Sequence, residues 1–383
     1  MTDVAAAQTR AGYARQWLYD RRLAFGVELL ALLPLVAMAF EVAGAPRTQP
    51  PRFWAVLGPV TGPDGGYDPG GVLDLAGGHP LFVPSFLYWA DAKWFDGDNR
   101  VLGWLAVGLA AFIVLRLRAA LPRVLPDVLR AGLVVAISAL VFGLHGVSTF
   151  VVGMTGVAWF TVHLLVVLSV LLARKRRWWS AWLAGVLACA SHGAGFAVWP
   201  ALFLMTVMHG ERWWRRIATF LLGAATAAVW VVLAPPRPTG DVGSLLYTFL
   251  TLIGHVWTGT TTDLAAIAGG GVLCGFGALI TVPAARTRRL WVWWSLALYA
   301  VTACGMVAVV RGGAGFGVGL SGQYASLSVI ASTALLVVVA TVAFRRSPRN
   351  AARFALAAVA IGLVGFTLGA PASASNICPG WTC

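Results

Sequence analysis

The chain has 383 residues, 59% hydrophobic and only 11% charged, with a formal net charge of +14. A soluble fold of this size needs far more charge on its surface, so a soluble globular protein is excluded. The basic surplus does not signify nucleic acid, because the Lys and Arg residues cluster in short turns between apolar runs.

The first 22 residues, MTDVAAAQTRAGYARQWLYDRR, are too long and polar for a signal-peptide n-region. No convincing small-residue cleavage site follows them, so 23–43 is expected as an uncleaved first helix. Further spans are expected at 101–117, 131–150, 154–173, 178–192, 195–209, 217–234, 262–284, 290–310, 324–344 and 352–370. The predicted fold is all-α and polytopic, with about eleven transmembrane helices (range 10–12) in one domain over 23–370. With the N-terminus in the cytoplasm, 22 of the 28 Lys and Arg residues fall in cytoplasmic segments. Only Arg47, Arg52, Lys93, Arg100, Arg237 and Arg311 fall outside them. Nine of the 14 acidic residues lie on or near the outer side: Glu41, Asp64, Asp68, Asp74, Asp91, Asp96, Asp98, Asp241 and Asp263. The expected location is the plasma (inner) membrane, multi-pass.

The longest non-spanning stretch is the outer loop 44–100. It opens Pro/Gly-rich and continues as GGHPLFVPSFLYWADAKWFDGDNR. Residues 80–95 are too short and polar to span and read as a helix lying in the membrane interface. A second outer segment, 235–261, contains LLYTFLTLIGHVWTG, read as re-entrant or interfacial. The tail 371–383 is expected to be extracytoplasmic, where Cys378 and Cys383 can close a small disulfide loop. Cys189, Cys274 and Cys304 read as small buried hydrophobes.

The run Trp178–His209 holds 32 residues without Lys, Arg, Asp or Glu, between RKRR and ERWWRR. Two basic flanks require it to cross and return. Two full crossings of a ~30 Å core need about 40 residues, so the hairpin is short and its apex sunken. That apex is Ser191-His192-Gly193-Ala194-Gly195. Either it is a close-packed turn with His192 hydrogen-bonded, or His192 lines a cavity open to the outside.

Three sets of residues can carry chemistry on the outer side. Glu41 is a candidate general base, or a helix-end charge reaching water. In the loop, His79, Asp91, Lys93, Asp96, Asp98 and Asn99 lie close in sequence. The three aspartates can bind a divalent cation or sugar hydroxyls; Asp96-Gly97-Asp98-Asn99 equally suits an ordinary turn. Arg311, with Gln323 and Tyr324 after RGGAGFGVGLSGQY, suits a phosphate or an interfacial anchor. His145, His163 and His255 read as satisfied core histidines, and Glu28 as a charge near Arg22. No Cys/His spacing resembles a metal site, no Walker loop is present, and no cofactor is required beyond that optional cation.

With these residues in place, the chain resembles a family of bacterial polytopic proteins grouped with the GT-C type membrane glycosyltransferases. The matching stretches are His79, Pro84, Asp91, Phe95, Gly97 and Asn99 in the outer loop; Ser191, Gly193, Gly195, Trp199 and Pro200 in the hairpin; and Arg311 with Tyr324 late in the chain. Pro80 and Gln323 stand where the family often has basic residues, so a basic pair that would grip phosphate is missing. The resemblance implies a polyprenyl-phosphate-linked sugar donor and a cell-envelope acceptor on the outer face. Glu41 or Asp91 would be the catalytic base, and Arg311 would neutralise the departing phosphate. His79, Asp96, Asn99, His192 and Tyr324 would help to hold substrate. Two other readings stand beside it: a transporter or flippase of a lipid-linked sugar, and a non-catalytic membrane subunit of an envelope-assembly complex.

Overall fold

A computed structural model describes residues 21–74, 80–233, 240–258, 261–312 and 319–368. The expected disulfide of Cys378 and Cys383, the residue His79 and most of the N-terminal segment lie outside the described residues. Among the described residues the chain is almost wholly helical, and its one β-bridge joins Thr61 to Tyr67. Eight helical stretches are long and apolar enough to cross a bilayer.

The first, α1 (Arg21–Gly44), is interrupted at Leu30–Ala31. Pro34 is the cause: it has no N–H to give the Leu30 carbonyl, and its ring crowds that group. The loop after it holds α2 (Pro51–Leu57) and α3 (Phe82–Trp94). The helix expected at 80–95 is therefore present, ending in a turn in which Asp96 and Gly97 both have positive φ. Asp98 caps α4 (Asn99–Ala120) by accepting the Arg100 N–H at 2.9 Å.

The span expected at 131–150 is not one continuous helix. It is α5 (Asp127–Val141), a 3₁₀ turn at Leu144–Gly146, and α6 (Val147–Val151). The buried His145 sits in that break, and its ring occupies the space a side chain at Gly143 would need. α7 (Gly153–Arg174) then runs unbroken.

The run from 178 to 209 forms the short hairpin its length demands: α8 (Trp178–Ser191), a 3₁₀ turn, and α9 (Val198–Met208). Neither arm has the length of a full crossing. α10 (Trp213–Leu233) follows. α11 (Val242–Gly254) occupies the second outer segment and crosses α12 (Thr262–Ile280) at Gly254 and Gly269. A Cβ on either glycine would lie about 2 Å from a carbonyl oxygen of the other helix, so only glycine permits this approach. α13 (Trp291–Arg311), α14 (Ala325–Arg346) and α15 (Ala351–Leu368) complete the chain.

α5, α7, α13 and α14 form the buried centre, whereas α1, α12 and α15 bury only 22% of their apolar stretches. Exposed Leu, Val and Phe on those outer helices form a surface suited to lipid tails. Cys274, expected to be buried, faces outward on α12, while Cys189 and Cys304 are buried.

The bundle has two chemically distinct ends. At the basic end Arg118 pairs with Glu28, Arg174 donates to the Ala120 carbonyl, Arg176 pairs with Glu211, and Arg345 donates to the Ala284 carbonyl. Glu28, expected beside Arg22, thus reaches α4 instead. The loop end holds α2, α3 and the hairpin apex.

Candidate functional site

The apex of the hairpin explains its own sequence. Ser191 donates to the Leu187 carbonyl at 2.6 Å. His192 then leaves the helix with extended backbone, and its Nδ1 accepts the Ala194 N–H at 3.2 Å. A ring that accepts through Nδ1 carries its neutral-form proton on Nε2. Gly195 closes the turn: a Cβ there would sit 2.1 Å from the Ala188 carbonyl oxygen. Trp199 donates its indole N–H to the Cys189 sulfur at 3.2 Å, tying the arms together.

His192 lines a cavity of about 620 Å³, its open mouth included. The His192 ring packs against Trp159, with centroids 4.4 Å apart, and Tyr324 meets the same indole edge-on at 5.5 Å. Arg311 and Gln323 line the same cavity as Tyr324. Arg52, from the first turn of α2, completes the polar rim. Ala303, Met306, Val307 and Val310 supply an apolar wall. They recur every three or four residues on one face of α13, which ends at Arg311. The cavity is amphiphilic: guanidinium groups at the mouth, an apolar strip running about two turns down a helix.

Three residues expected from the sequence, His192, Arg311 and Tyr324, are therefore brought together, and Arg52 joins them unforeseen. Only the structure singles it out, by elimination. Of the six basic residues outside the basic turns, Arg237 is not described. Arg100 donates to the Ala45 carbonyl, Lys93 lies over the Trp89 ring at 4.7 Å, and Arg47 approaches Asp98 at 3.9 Å. Arg52 and Arg311 remain, both on the cavity and both without a carboxylate partner among the described residues. Arg52 of α2 and Arg311 of α13 thus place two guanidinium groups on one cavity.

Other expected residues are elsewhere. Neither Glu41 nor Asp91 lines the cavity. Glu41 is exposed on α1. Asp91 is 2% exposed and accepts the Gln49 amide at 3.1 Å through Oδ2, while Oδ1 has no partner among the described residues. Burial pushes its carboxyl up to about 7; the Gln49 hydrogen bond opposes this and the nearby Asp98 charge adds to it. Asn99 is fully buried, with its amide committed. Nδ2 donates to the Pro46 and Val151 carbonyls at 3.0 and 2.8 Å, and Oδ1 accepts the Gly153 N–H at 2.8 Å. Asn99, expected to help hold substrate, is instead a clamp joining the first loop, α4 and the start of α7. Asp96 is exposed in a left-handed turn, and Asp98 is occupied as a cap, the ordinary-turn alternative. No group of three or more His, Cys, Asp or Glu residues that could hold a metal ion occurs among the described residues.

The core histidines behave in part as expected. His163 bonds Tyr299 and Ser326 at 2.9 and 2.7 Å, and His145 meets the Gly365 carbonyl at 3.3 Å. His255 is buried with its Nδ1 unpartnered among the described residues.

Fold and site together define the class as a multi-pass helical membrane protein with an amphiphilic, arginine-mouthed cavity at one end of the bundle. Compared with protein-family models, curated proteins and solved structures, the chain matches none.

Proposed function

We propose that the cavity binds the phosphate of a polyprenyl-phosphate-linked sugar at the outer face of the plasma membrane, and that the protein is a glycosyltransferase of the GT-C type. The observation that carries this reading is the convergence of Arg52 and Arg311, uncompensated by carboxylate, above an apolar strip on α13. A phosphate at the mouth finds two charge-assisted donors, and a prenyl chain follows Val310, Val307, Met306 and Ala303 toward the bilayer. The topology belongs to the same reading. The basic end is cytoplasmic, the loop end is outer, the eight long helices and α10 make nine crossings, and the α8–α9 hairpin enters from the cytoplasmic side and returns. α3 and α11 lie at the outer interface.

In this reading Arg52 and Arg311 hold the phosphate and stabilise the charge that builds on it as the glycosidic bond breaks. Tyr324 and Gln323 orient it. His192, whose Nδ1 is taken by the Ala194 N–H, can only donate from Nε2; in this reading it hydrogen-bonds the phosphate, and the acceptor hydroxyl gives its proton to the departing phosphate or to water. Glu41 and Asp91 are displaced from the role of catalytic base by their positions.

The absence of a carboxylate from the described lining favours a second reading, a transporter or flippase of the same lipid-linked sugar. An envelope glycan and lipid-linked-sugar profile separates the two. A deletion strain is compared with strains complemented by wild type, Arg311→Gln, Arg52→Gln or His192→Gln, each confirmed in the membrane. Loss of one envelope sugar with its polyprenyl donor accumulating on the outer leaflet supports transfer. Donor accumulating on the inner leaflet supports transport. Full restoration by both arginine variants overturns the cavity as the site.

A further inference from the structure

A second built cavity lies at the opposite end of the bundle, where α8 and α10 begin. It measures about 550 Å³, mouth included, and is lined by Arg176, Arg177 and Arg215 together with Trp178, Trp179 and Trp214. The turn that forms it is constrained. Arg176 has a left-handed backbone, φ 58°, unusual for a side chain of its size. That conformation lets its guanidinium reach Glu211 at 3.3 Å and the His209 carbonyl at 3.2 Å. Arg215 closes on the same Glu211 from one helical turn away. Glu211, 6% exposed, is thus held between two arginines.

Charge is left over. Three guanidinium groups face one carboxylate, a local excess of two positive charges. Arg177 makes no side-chain hydrogen bond or ion pair among the described residues. Arg215 Nε is shielded from solvent and has no acceptor among the described residues. The first turn of α8, Trp178 to Ser180, lines the same cavity, and no side chain caps its N–H groups. The lining of the cleft therefore carries a surplus of donors and of positive charge.

The cleft is continuous with a surface suited to acyl chains. Trp179 and Leu183 are 77% and 62% exposed, one turn apart on α8. Ile217 and Leu221 repeat this spacing on α10, and the Trp182 indole bridges the two helices by donating to Thr219 at 3.0 Å. Exposed indoles at a basic helix end mark headgroup depth.

We propose that this cleft is a binding site for the phosphodiester headgroup of an anionic phospholipid of the inner leaflet, with its acyl chains against Trp179, Leu183, Ile217 and Leu221. A zwitterionic lipid fits less well, because the one carboxylate that would meet its ammonium is already shared by Arg176 and Arg215. This site is independent of the cavity at the loop end.

The test is lipid binding to the purified full-length chain, followed by native mass spectrometry. Phosphatidylglycerol, phosphatidylcholine and inorganic phosphate are titrated separately. Phosphatidylglycerol should bind at least fivefold more tightly than phosphatidylcholine, and Arg177→Gln should weaken it about fivefold. Lys175→Gln, an exposed charge on the same turn outside the cleft, should change nothing. Equal binding of the two lipids, or equal losses in the two variants, overturns the proposal. Phosphate binding that depends on Arg177 while phosphatidylglycerol fails to bind also overturns it, in favour of a soluble anion. As a check independent of any variant, a photoactivatable phosphatidylglycerol in wild-type nanodiscs should label α8 near Trp179 and α10 near Trp214. Labelling confined to other helices excludes the site.

Discussion

The two ends of the bundle both carry arginines, but they use them differently. At the basic end Arg118, Arg130, Arg176 and Arg215 each have a carboxylate within ion-pair distance. At the loop end Arg52 and Arg311 have none among the described residues, although nine of the chain's acidic residues were expected on that side. Aspartates there are spent locally: Asp64, Asp68, Asp98 and Asp241 accept nearby backbone N–H groups, Asp91 binds Gln49, and Asp263 accepts the Tyr247 hydroxyl. An unpaired guanidinium beside an apolar wall must find its counter-ion in solvent or in a ligand. Arg52 and Arg311 at the loop end, like Arg177 at the basic end, have no carboxylate among the described residues and are free to take a ligand's charge; the paired arginines hold structure.

Substitutions can break or sharpen this contrast. The largest expected effect is structural and falls on the scaffold of the loop end. Asn99→Ala leaves the Pro46 and Val151 carbonyls and the Gly153 N–H without their partner. At ~1–3 kcal/mol for each buried group left unsatisfied, it should cost about 4 kcal/mol. Folded yield by fluorescence-detected size exclusion should collapse; a yield close to wild type would return Asn99 to the list of substrate contacts. Gly195→Ala comes next, at about 3 kcal/mol from the clash with Ala188 at the hairpin apex. Its thermal midpoint should fall well below that of Gly108→Ala, where a Cβ meets nothing within 4 Å.

Cavity substitutions should leave stability near wild type and change binding. Arg52→Gln and Arg311→Gln should each weaken a short-chain polyprenyl phosphate by about 10- to 100-fold, from ~1.5–3 kcal/mol per charged hydrogen bond. Calorimetric titration of the detergent-solubilised protein would measure this. If neither variant weakens binding, the unpaired arginines do not form the site.

Asp91 offers a milder, pH-dependent effect. Its folded pKa of about 7 lies above the unfolded value of ~3.9, so the folded chain holds the proton longer. Stability should therefore fall as pH rises from about 4 to 7, and the loss should be complete above 7. Asp91→Asn should flatten that slope. A wild-type thermal midpoint that does not change between pH 5 and 8 would show that the buried carboxyl is not strained. Glu41→Gln should do least, within about 0.5 kcal/mol and with normal complementation, because Glu41 is exposed and off the cavity. Failed complementation would restore it as a catalytic base.

Much of the architecture was legible in the residues. The 32-residue run with two basic flanks required a short hairpin, and α8 and α9 are that hairpin. The helix over 80–95 and the segment after 241 were visible as apolar stretches too short to span. The break inside 131–150 was not, because hydropathy counts apolar residues and is blind to where a histidine ring replaces a helical turn. Of the site, His192, Arg311 and Tyr324 were legible as polar residues in apolar surroundings. Arg52 was not, since a lone arginine in a Pro-rich loop carries no periodic signal. Asn99 misled for the opposite reason: a polar residue at a turn suggests a ligand contact, and only its three backbone partners reveal a clamp.

Composition and charge spacing by themselves determined that the chain is helical, apolar and divided into basic and acidic sides, because those properties depend on residues adjacent in sequence. Tertiary structure alone decided which residues share the cavity. Arg52, Trp159, His192, Arg311 and Tyr324 come from five separate segments, and only the packing of α2, α7, the hairpin, α13 and the turn before α14 brings them to one mouth. It also decided which arginines find a carboxylate, since a charge's partner is set by distance through space.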